Sequence, residues 1–336
     1  MKQISCKAPF EMQIEEIQHS LKPMHGEVLV KIKRIGICGT DLHAYSGNQP
    51  FFEYPRTLGH EASGVIEQIG EGVTTLQIGD HVTFIPYVHC GECVSCQNGK
   101  TNCCQSMKVM GVHIDGGMCE CFVVPASHII VTNGLSFEEA AMIEPLCIGA
   151  HAVRRAQIEK SDTVLVIGAG PIGLGVAKFA KLQQAKKVVL LDIAAERLQF
   201  AKEWSDADST IQLNEQVQHQ IQQQFDGHLP TVVFDATGNK KSMESAYNYI
   251  SHGGKLIYVG LVKDKITFDD PSFHSKELTL FASRNATKED FEYVYQCFKN
   301  DQIKEGYVTK YISFEDVPAY FEAKNYQSNK AMIVFE

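Results

Sequence analysis

The sequence has no run of about 18 consecutive apolar residues, so no bilayer-spanning helix is expected. Residues 1–10 carry Lys2 and Lys7 but no apolar stretch behind them, so no secretory signal is expected there. Positive charge is not in excess either: 31 Lys and Arg against 40 Asp and Glu leave a net charge of −9. That balance speaks against a duplex-binding protein, which needs a basic face to release phosphate counterions. There is no even set of cysteines to pair. The 11 Cys, several crowded into one stretch of a chain without an export signal, read as metal thiolates rather than disulfides and point to the cytosol. What remains is ordinary globular composition, 44% hydrophobic and 21% charged. Its 336 residues suggest two domains at about 150 each.

Up to residue 137, short β-type runs alternate with Gly-containing turns: EVLVKI at 27–32, SGVIEQI at 63–69 and HVTFI at 81–85. This is how an irregular, mostly β domain reads. The pattern then changes. Ser136 followed by Glu138 and Glu139 predicts a helix start that continues through 140–156. TVLVI at 163–167 and KVVLL at 187–191 are continuous apolar runs of the kind buried on both faces of a parallel sheet, with a helical stretch at 172–182 between them. TVVF at 231–234 and KLIYV at 255–259 extend the alternation, which predicts an α/β fold with a doubly wound parallel sheet. The tail, 287–336, returns to mixed character, ends in AMIVF, and is expected to pack on the first domain.

After TVLVI comes Gly168-Ala169-Gly170-Pro171-Ile172-Gly173. The G-x-G-x-x-G follows a predicted strand, opens a predicted helix, and is followed by Asp192 at the end of the next strand, the context a dinucleotide site requires. Gly168 permits the tight turn, Gly170 lets the backbone approach a pyrophosphate, and Gly173 lets helix and strand pack closely. Pro171 and Ile172 begin the helix whose free N–H groups face the phosphates. Asp192 accepts hydrogen bonds from ribose hydroxyls and repels a 2′-phosphate, favouring NAD, while nearby Arg197 leaves NADP open. Thr237 and Gly260 follow later strands, where such sheets bind ligands, and are further candidate cofactor contacts.

Cys90, Cys93, Cys96 and Cys104 read C-x2-C-x2-C-x7-C, which suits a closed, structural zinc site. Cys103 is an alternative fourth ligand; unmetallated thiols, disulfides and a nucleic-acid zinc knuckle are the other readings. Three further pieces are candidates for an open metal site: Cys38 in GICGTD, His60 and Glu61 in GHE, and Glu144 in IEP. Singly each has an ordinary structural explanation. Together, beside a nicotinamide site, they fit a mixed S/N/O centre with room for a substrate oxygen.

The pattern GHE-x2-G-x5-G-x-G-V-x5-GD from Gly59 to Asp80, with Cys38, the cysteine lobe and GAGPIG in the same order, resembles the zinc-containing medium-chain alcohol dehydrogenases. The resemblance implies a GroES-like, mostly β catalytic domain over 1–147, completed by 287–336, and a Rossmann NAD-binding domain over 148–286. IEPLCIGAHAVRR at 143–155 is similar to the polyol branch. Similarity to its sugar-acid dehydrogenases is carried by GNQPFFEYPR at 47–56, GVHIDGG at 111–117, HAVRR at 151–155 and SRNAT at 283–287. Met118 stands where relatives commonly carry an aromatic.

The resemblance further implies two zinc ions per subunit, NAD, and a homodimer or homotetramer, with no nucleic-acid or membrane partner. Cys38, His60 and Glu61 become the resting catalytic ligands, with Glu144 nearby or exchanging. Thr40 becomes a proton relay, with His43 as its outlet. The implied reaction is oxidation of a secondary alcohol of a small hydroxy acid or polyol, first L-galactonate at carbon 5 to D-tagaturonate. L-gulonate giving D-fructuronate, a neutral polyol and L-threonine are the rivals; outside catalysis, a cofactor-binding regulatory protein is the alternative. A sugar acid needs a cation for its carboxylate. Arg284 beside Asn285 is the first candidate and His113 the second, with Arg56, Arg154 and Arg155 as alternatives.

Overall fold

The computed structural model describes residues 1–18, 21–50, 52–324, 326 and 328–336. Phe51, within one of the stretches quoted above, lies outside them. The chain divides into two compact units, Met1–Glu144 with Thr287–Glu336, and Pro145–Ala286.

The first unit is built on a seven-stranded sheet whose spine is the strand Glu27–Ile37. Val28, Val30, Ile32, Ile35 and Ile37 of that strand enter a core shared with Ile66, Val82, Phe84 and Ile333. Each such side chain contributes about 1.5–3 kcal/mol when fully buried. On one side the spine pairs antiparallel with Glu61–Ile69, placing Gly36 opposite Glu61. On the other it pairs antiparallel with Ala331–Val334, placing Ile37 opposite Ala331. The outer strand Lys310–Ser313 runs parallel to Ala331–Val334. These registers gather the residues just beyond the paired ends, Cys38, His60 and Lys330, at one end of the sheet. A two-stranded ribbon, Tyr87–Val88 with Lys108–Val109, carries the cysteine loop.

The second unit is a six-stranded, wholly parallel sheet. Its order is Ser209–Gln212, Lys187–Asp192, Thr163–Ile167, Val232–Asp235, Lys255–Tyr258, Thr279–Ala282. Counted along the chain this is 3-2-1-4-5-6, the doubly wound arrangement of dinucleotide-binding folds. The apolar runs form its centre: Leu165, Ile167, Val189, Leu191 and Val233 pack with Ile221 and Ile250. The first helix, Pro171–Leu182, starts with Gly170 as N-cap and Pro171 at its first position, where a fixed φ and a missing N–H do no harm.

None of the eleven cysteines forms a disulfide. Among the described residues, no helix is long and apolar enough to cross a membrane.

Candidate active site

Cys38 caps the helix Gly39–Tyr45 and Asp41 occupies its third position. The turn folds the Asp41 carboxylate back so that Oδ2 accepts the Cys38 amide at 2.8 Å. Beside them the sheet delivers His60 and Glu61. The Cys38 sulfur, a His60 ring nitrogen and a Glu61 carboxylate oxygen all lie within 4.8 Å of one another. Asp41 Oδ1 lies 3.9 Å from His60 Nδ1, too far for a hydrogen bond, and neither buried atom has another partner.

Burial pulls the His60 pKa down, but Cys38, Asp41 and Glu144 outweigh it and hold the imidazole well above its ordinary value. Glu144, on the helix Phe137–Ala156, is 3% exposed and accepts a hydrogen bond from the Tyr87 hydroxyl. Burial, with the Glu61 charge adding to it, pushes the Glu144 carboxyl up to about 7. Tyr307 is buried within electrostatic reach of Glu61, Cys38 and Glu144, and burial first, then those charges, raise its phenol. Acidic groups thus crowd around His60, while Lys330 pairs with Glu61. With one soft and two harder donors converging and His60 Nδ1 unpartnered, the residues fit a divalent cation of zinc's kind.

Thr40 and His43 sit three residues apart on the helix Gly39–Tyr45, hence on one face; Thr40 is half-buried and His43 exposed. Met118 is wholly buried in the core of the first unit.

The four sulfurs of Cys90, Cys93, Cys96 and Cys104 also gather within 4.8 Å. Cys93–Cys96 and Cys90–Cys104 are 3.5 Å apart and Cys90–Cys96 4.0 Å. Four sulfurs at about 2.3 Å from a tetrahedral zinc would be about 3.8 Å apart. The amides of Cys90 and Ser106 both point at the Cys104 sulfur, at 3.3 Å, and lower its pKa. Cys103 is exposed and outside the set. These two clusters are the metal-competent groups among the described residues.

In the second unit the glycine loop shows a distinct demand at each position. Gly168 has φ +99°, Gly170 faces open space, and a Cβ on Gly173 would stand 1.7 Å from the Gly168 carbonyl oxygen. Asp192 accepts the Ala169 amide at 2.7 Å and the Ala194 amide at 2.8 Å, which draws the acidic strand end to the loop. Arg197 is exposed on the helix Ala195–Ser205. Thr237 donates through its amide and hydroxyl to Asp235, and Gly260 lies so close to Gly238 that a Cβ would be 2.3 Å from the Gly238 nitrogen.

The substrate candidates are divided between the two units. His113 belongs to the first unit, and its Nδ1 accepts the Val109 amide at 3.0 Å. Arg284 and Asn285 belong to the second; Arg284 is exposed and Asn285 has φ +53°. The alternatives are engaged: Arg56 with Asp115 at 3.4 Å, Arg154 beside His151 at 3.5 Å, and Arg155 with the Ala282 carbonyl at 2.7 Å. Asp41, Lys330, Tyr87 and Tyr307 are the residues of the centre that sequence patterns left unassigned. Asp41 alone stood inside a motif recognised in the sequence, GICGTD.

The alcohol dehydrogenase GroES-like domain matches residues 24–133, and the zinc-binding dehydrogenase family matches 171–300. L-galactonate-5-dehydrogenase of Escherichia coli K12 is 45% identical, over 87% of this chain and 85% of that protein. The starvation-sensing protein RspB of the same strain is 36% identical over 100% of this chain and 99% of its own. The crystal structure of RspB from E. coli CFT073, complexed with NADH, superposes with a TM-score of 0.92 at 35% identity, covering 100% of this chain and 99% of that one. Galactitol-1-phosphate dehydrogenase from E. coli gives a TM-score of 0.92 at 28% identity, with both chains covered completely. Matched in both parts and along nearly its whole length, the chain belongs to the zinc-binding dehydrogenase family and is an oxidoreductase of CH–OH groups.

Proposed function

We propose that the chain oxidises a secondary alcohol of a sugar acid with NAD as hydride acceptor, and that its substrate is L-galactonate, converted at carbon 5 to D-tagaturonate. The observation that carries this is the convergence of half-buried Cys38 with buried His60 and Glu61. The 45% identity to E. coli L-galactonate-5-dehydrogenase supports the choice of substrate.

Cys38, His60 and Glu61 would hold the catalytic zinc, with Glu144 beside them; Cys90, Cys93, Cys96 and Cys104 would hold the structural one. Zinc supplies Lewis acidity toward the substrate hydroxyl, and NAD accepts the hydride. Asp41 holds the turn that presents Cys38, and Lys330 balances Glu61. Thr40 accepts the proton of the substrate hydroxyl while passing its own on, and His43, one helical turn on, carries that proton to water.

Residues 148–286 form the NAD-binding domain, and 1–147 with 287–336 the catalytic domain. Gly168, Gly170, Pro171, Ile172 and Gly173 bind the pyrophosphate. Each Asp192 oxygen accepts one amide and keeps a lone pair for a ribose hydroxyl. Exposed Arg197 does not offset that selectivity, and Thr237 and Gly260 flank the nicotinamide half. Arg284, with Asn285, binds the substrate carboxylate; His113 is the lesser candidate. The enzyme works in the cytosol as a homo-oligomer.

The test is reduction of NAD and NADP by zinc-replete protein with L-galactonate, L-gulonate, L-iditol, sorbitol and L-threonine. The highest kcat/KM is expected for L-galactonate with NAD. A higher value for any other compound overturns the substrate, and no reduction with any of them overturns the dehydrogenase assignment at this site.

A further inference from the structure

The two carboxylates of the centre are tethered from different parts of the first unit. Glu61 is held by Lys330, beside the main sheet. Glu144 is held by the hydroxyl of Tyr87, which belongs to the cysteine lobe. Tyr87 opens the strand Tyr87–Val88, pairs with Val109, and stands three residues before Cys90. Cys104 stands four residues before Lys108 on the opposite strand. The short ribbon is therefore gripped at its far end by the four-sulfur cluster. Its near end is gripped by packing: the Tyr87 ring, 5% exposed, meets wholly buried Phe291 edge-on, with centroids 6.2 Å apart at 76°. A phenol fixed on both sides has little freedom to follow the carboxylate it binds. Glu144 lies outside the donor set of Cys38, His60 and Glu61, although its charge is felt at His60.

We propose that Tyr87 is a positioning residue through which the four-cysteine lobe keeps Glu144 out of the donor set formed by Cys38, His60 and Glu61. The lobe then does more than stiffen its own loop: it fixes how many carboxylates reach the cation. The proposal rests on the reading of that donor set as a metal centre. Removing the hydroxyl leaves a buried carboxylate without its donor, and the unmet positive partner nearest in chemistry is the cation. Partners of this outer kind change metal affinity by about 10–100-fold.

The test uses full-length protein with zinc in the lobe and Co2+ at the Cys38 centre, and compares wild type with Tyr87→Phe. Phenylalanine keeps the ring contact with Phe291 and deletes only the hydroxyl. The visible cobalt bands should weaken and shift, as they do when a four-coordinate ion gains a ligand. Release of cobalt to a chelator should slow about tenfold. Glu144→Gln in the Tyr87→Phe background should return both readouts to wild type. Cys96→Ser, which opens the lobe but leaves Tyr87 in place, should shift the bands in the same direction. Unchanged bands and release rate in Tyr87→Phe, or changes that persist with Glu144→Gln, overturn the role of Tyr87. A wild-type spectrum in Cys96→Ser overturns the part given to the lobe. A wild-type chain that takes up no cobalt outside the lobe overturns the metal-centre reading and this proposal with it.

Discussion

Lys330 and Glu61 form an ion pair whose side chains are only 2% and 1% exposed. Burial acts to lower the Lys330 pKa, but Glu61, Cys38 and Glu144 outweigh it and hold the amine above its ordinary value. Gly36 makes the room, since a Cβ there would stand 2.0 Å from the Glu61 carboxylate. Lys330→Met should therefore destabilise the metal-free protein by about 3–5 kcal/mol, the loss typical when one partner of a buried pair is removed. Zinc-loaded protein should lose less, because the metal supplies Glu61 with a second positive partner. Urea unfolding with and without a chelator measures both; equal losses would remove the link between Lys330 and the metal.

Two glycines of the same loop should fail in different ways. Gly173→Ala drives a methyl into the Gly168 carbonyl and should destabilise the protein by about 1–3 kcal/mol, with loss of NAD binding. Gly170→Ala meets nothing in the protein, so the melting temperature should hold while the Kd for NAD rises at least about tenfold, as the methyl intrudes where the pyrophosphate approaches. Unchanged NAD affinity in Gly170→Ala would move the phosphates elsewhere.

Metal content separates the two clusters. Wild type should carry two zinc ions per chain, and Cys104→Ser and His60→Ala one each. The Cys104 variant should lose thermal stability, and the His60 variant should lose turnover with its fold retained. Elemental analysis beside thermal melts reads this. A Cys104 variant that keeps both ions would shift the ligand role toward Cys103.

Asp235 is fully buried, and burial raises its pKa despite hydrogen bonds from Ser242 and Thr237. A raised carboxyl pKa means that the folded state binds the proton more readily than the unfolded chain. The stability this gives is present below the unfolded value of about 3.9 and is lost as pH rises through the folded one. Asp235→Asn imitates the protonated form, so its stability relative to wild type should improve as pH rises above about 4. Parallel stability curves from urea unfolding would rule this out.

Arg284→Ala should raise KM for a sugar acid by about tenfold or more and leave a neutral polyol nearly unaffected, because only the acid offers a carboxylate to the guanidinium. Steady-state kinetics on both substrates decide it: equal losses would assign Arg284 to structure.

The central strands were legible because burial on both faces leaves unbroken apolar runs such as TVLVI and KVVLL. The outer strands Ser209–Gln212 and Thr279–Ala282 were not, because edge positions are partly exposed and carry no such run. Strand ends also moved by a residue: TVVF at 231–234 is the strand Val232–Asp235. Within the centre, residues in short local motifs could be named from sequence, Cys38, His60 and Glu61 among them. Lys330 and Tyr87 could not, because sheet register and ribbon packing, rather than a spacing along the chain, bring them to Glu61 and Glu144. Asp41 was visible but unassigned, since its carboxylate finds Cys38 only once the helix turn forms.

The strand Ala331–Val334 lies between Glu27–Ile37 and Lys310–Ser313 in the larger sheet. A chain emerging from the ribosome can thus complete the contiguous unit Pro145–Ala286 while the discontinuous one still waits for its closing segment. Until that segment arrives, Glu61 has no lysine beside it, and the stretch Arg34–Ile37 lacks its neighbour on one edge. During translation the centre is sealed only after Ala331–Val334 has joined the sheet and brought Lys330 to Glu61.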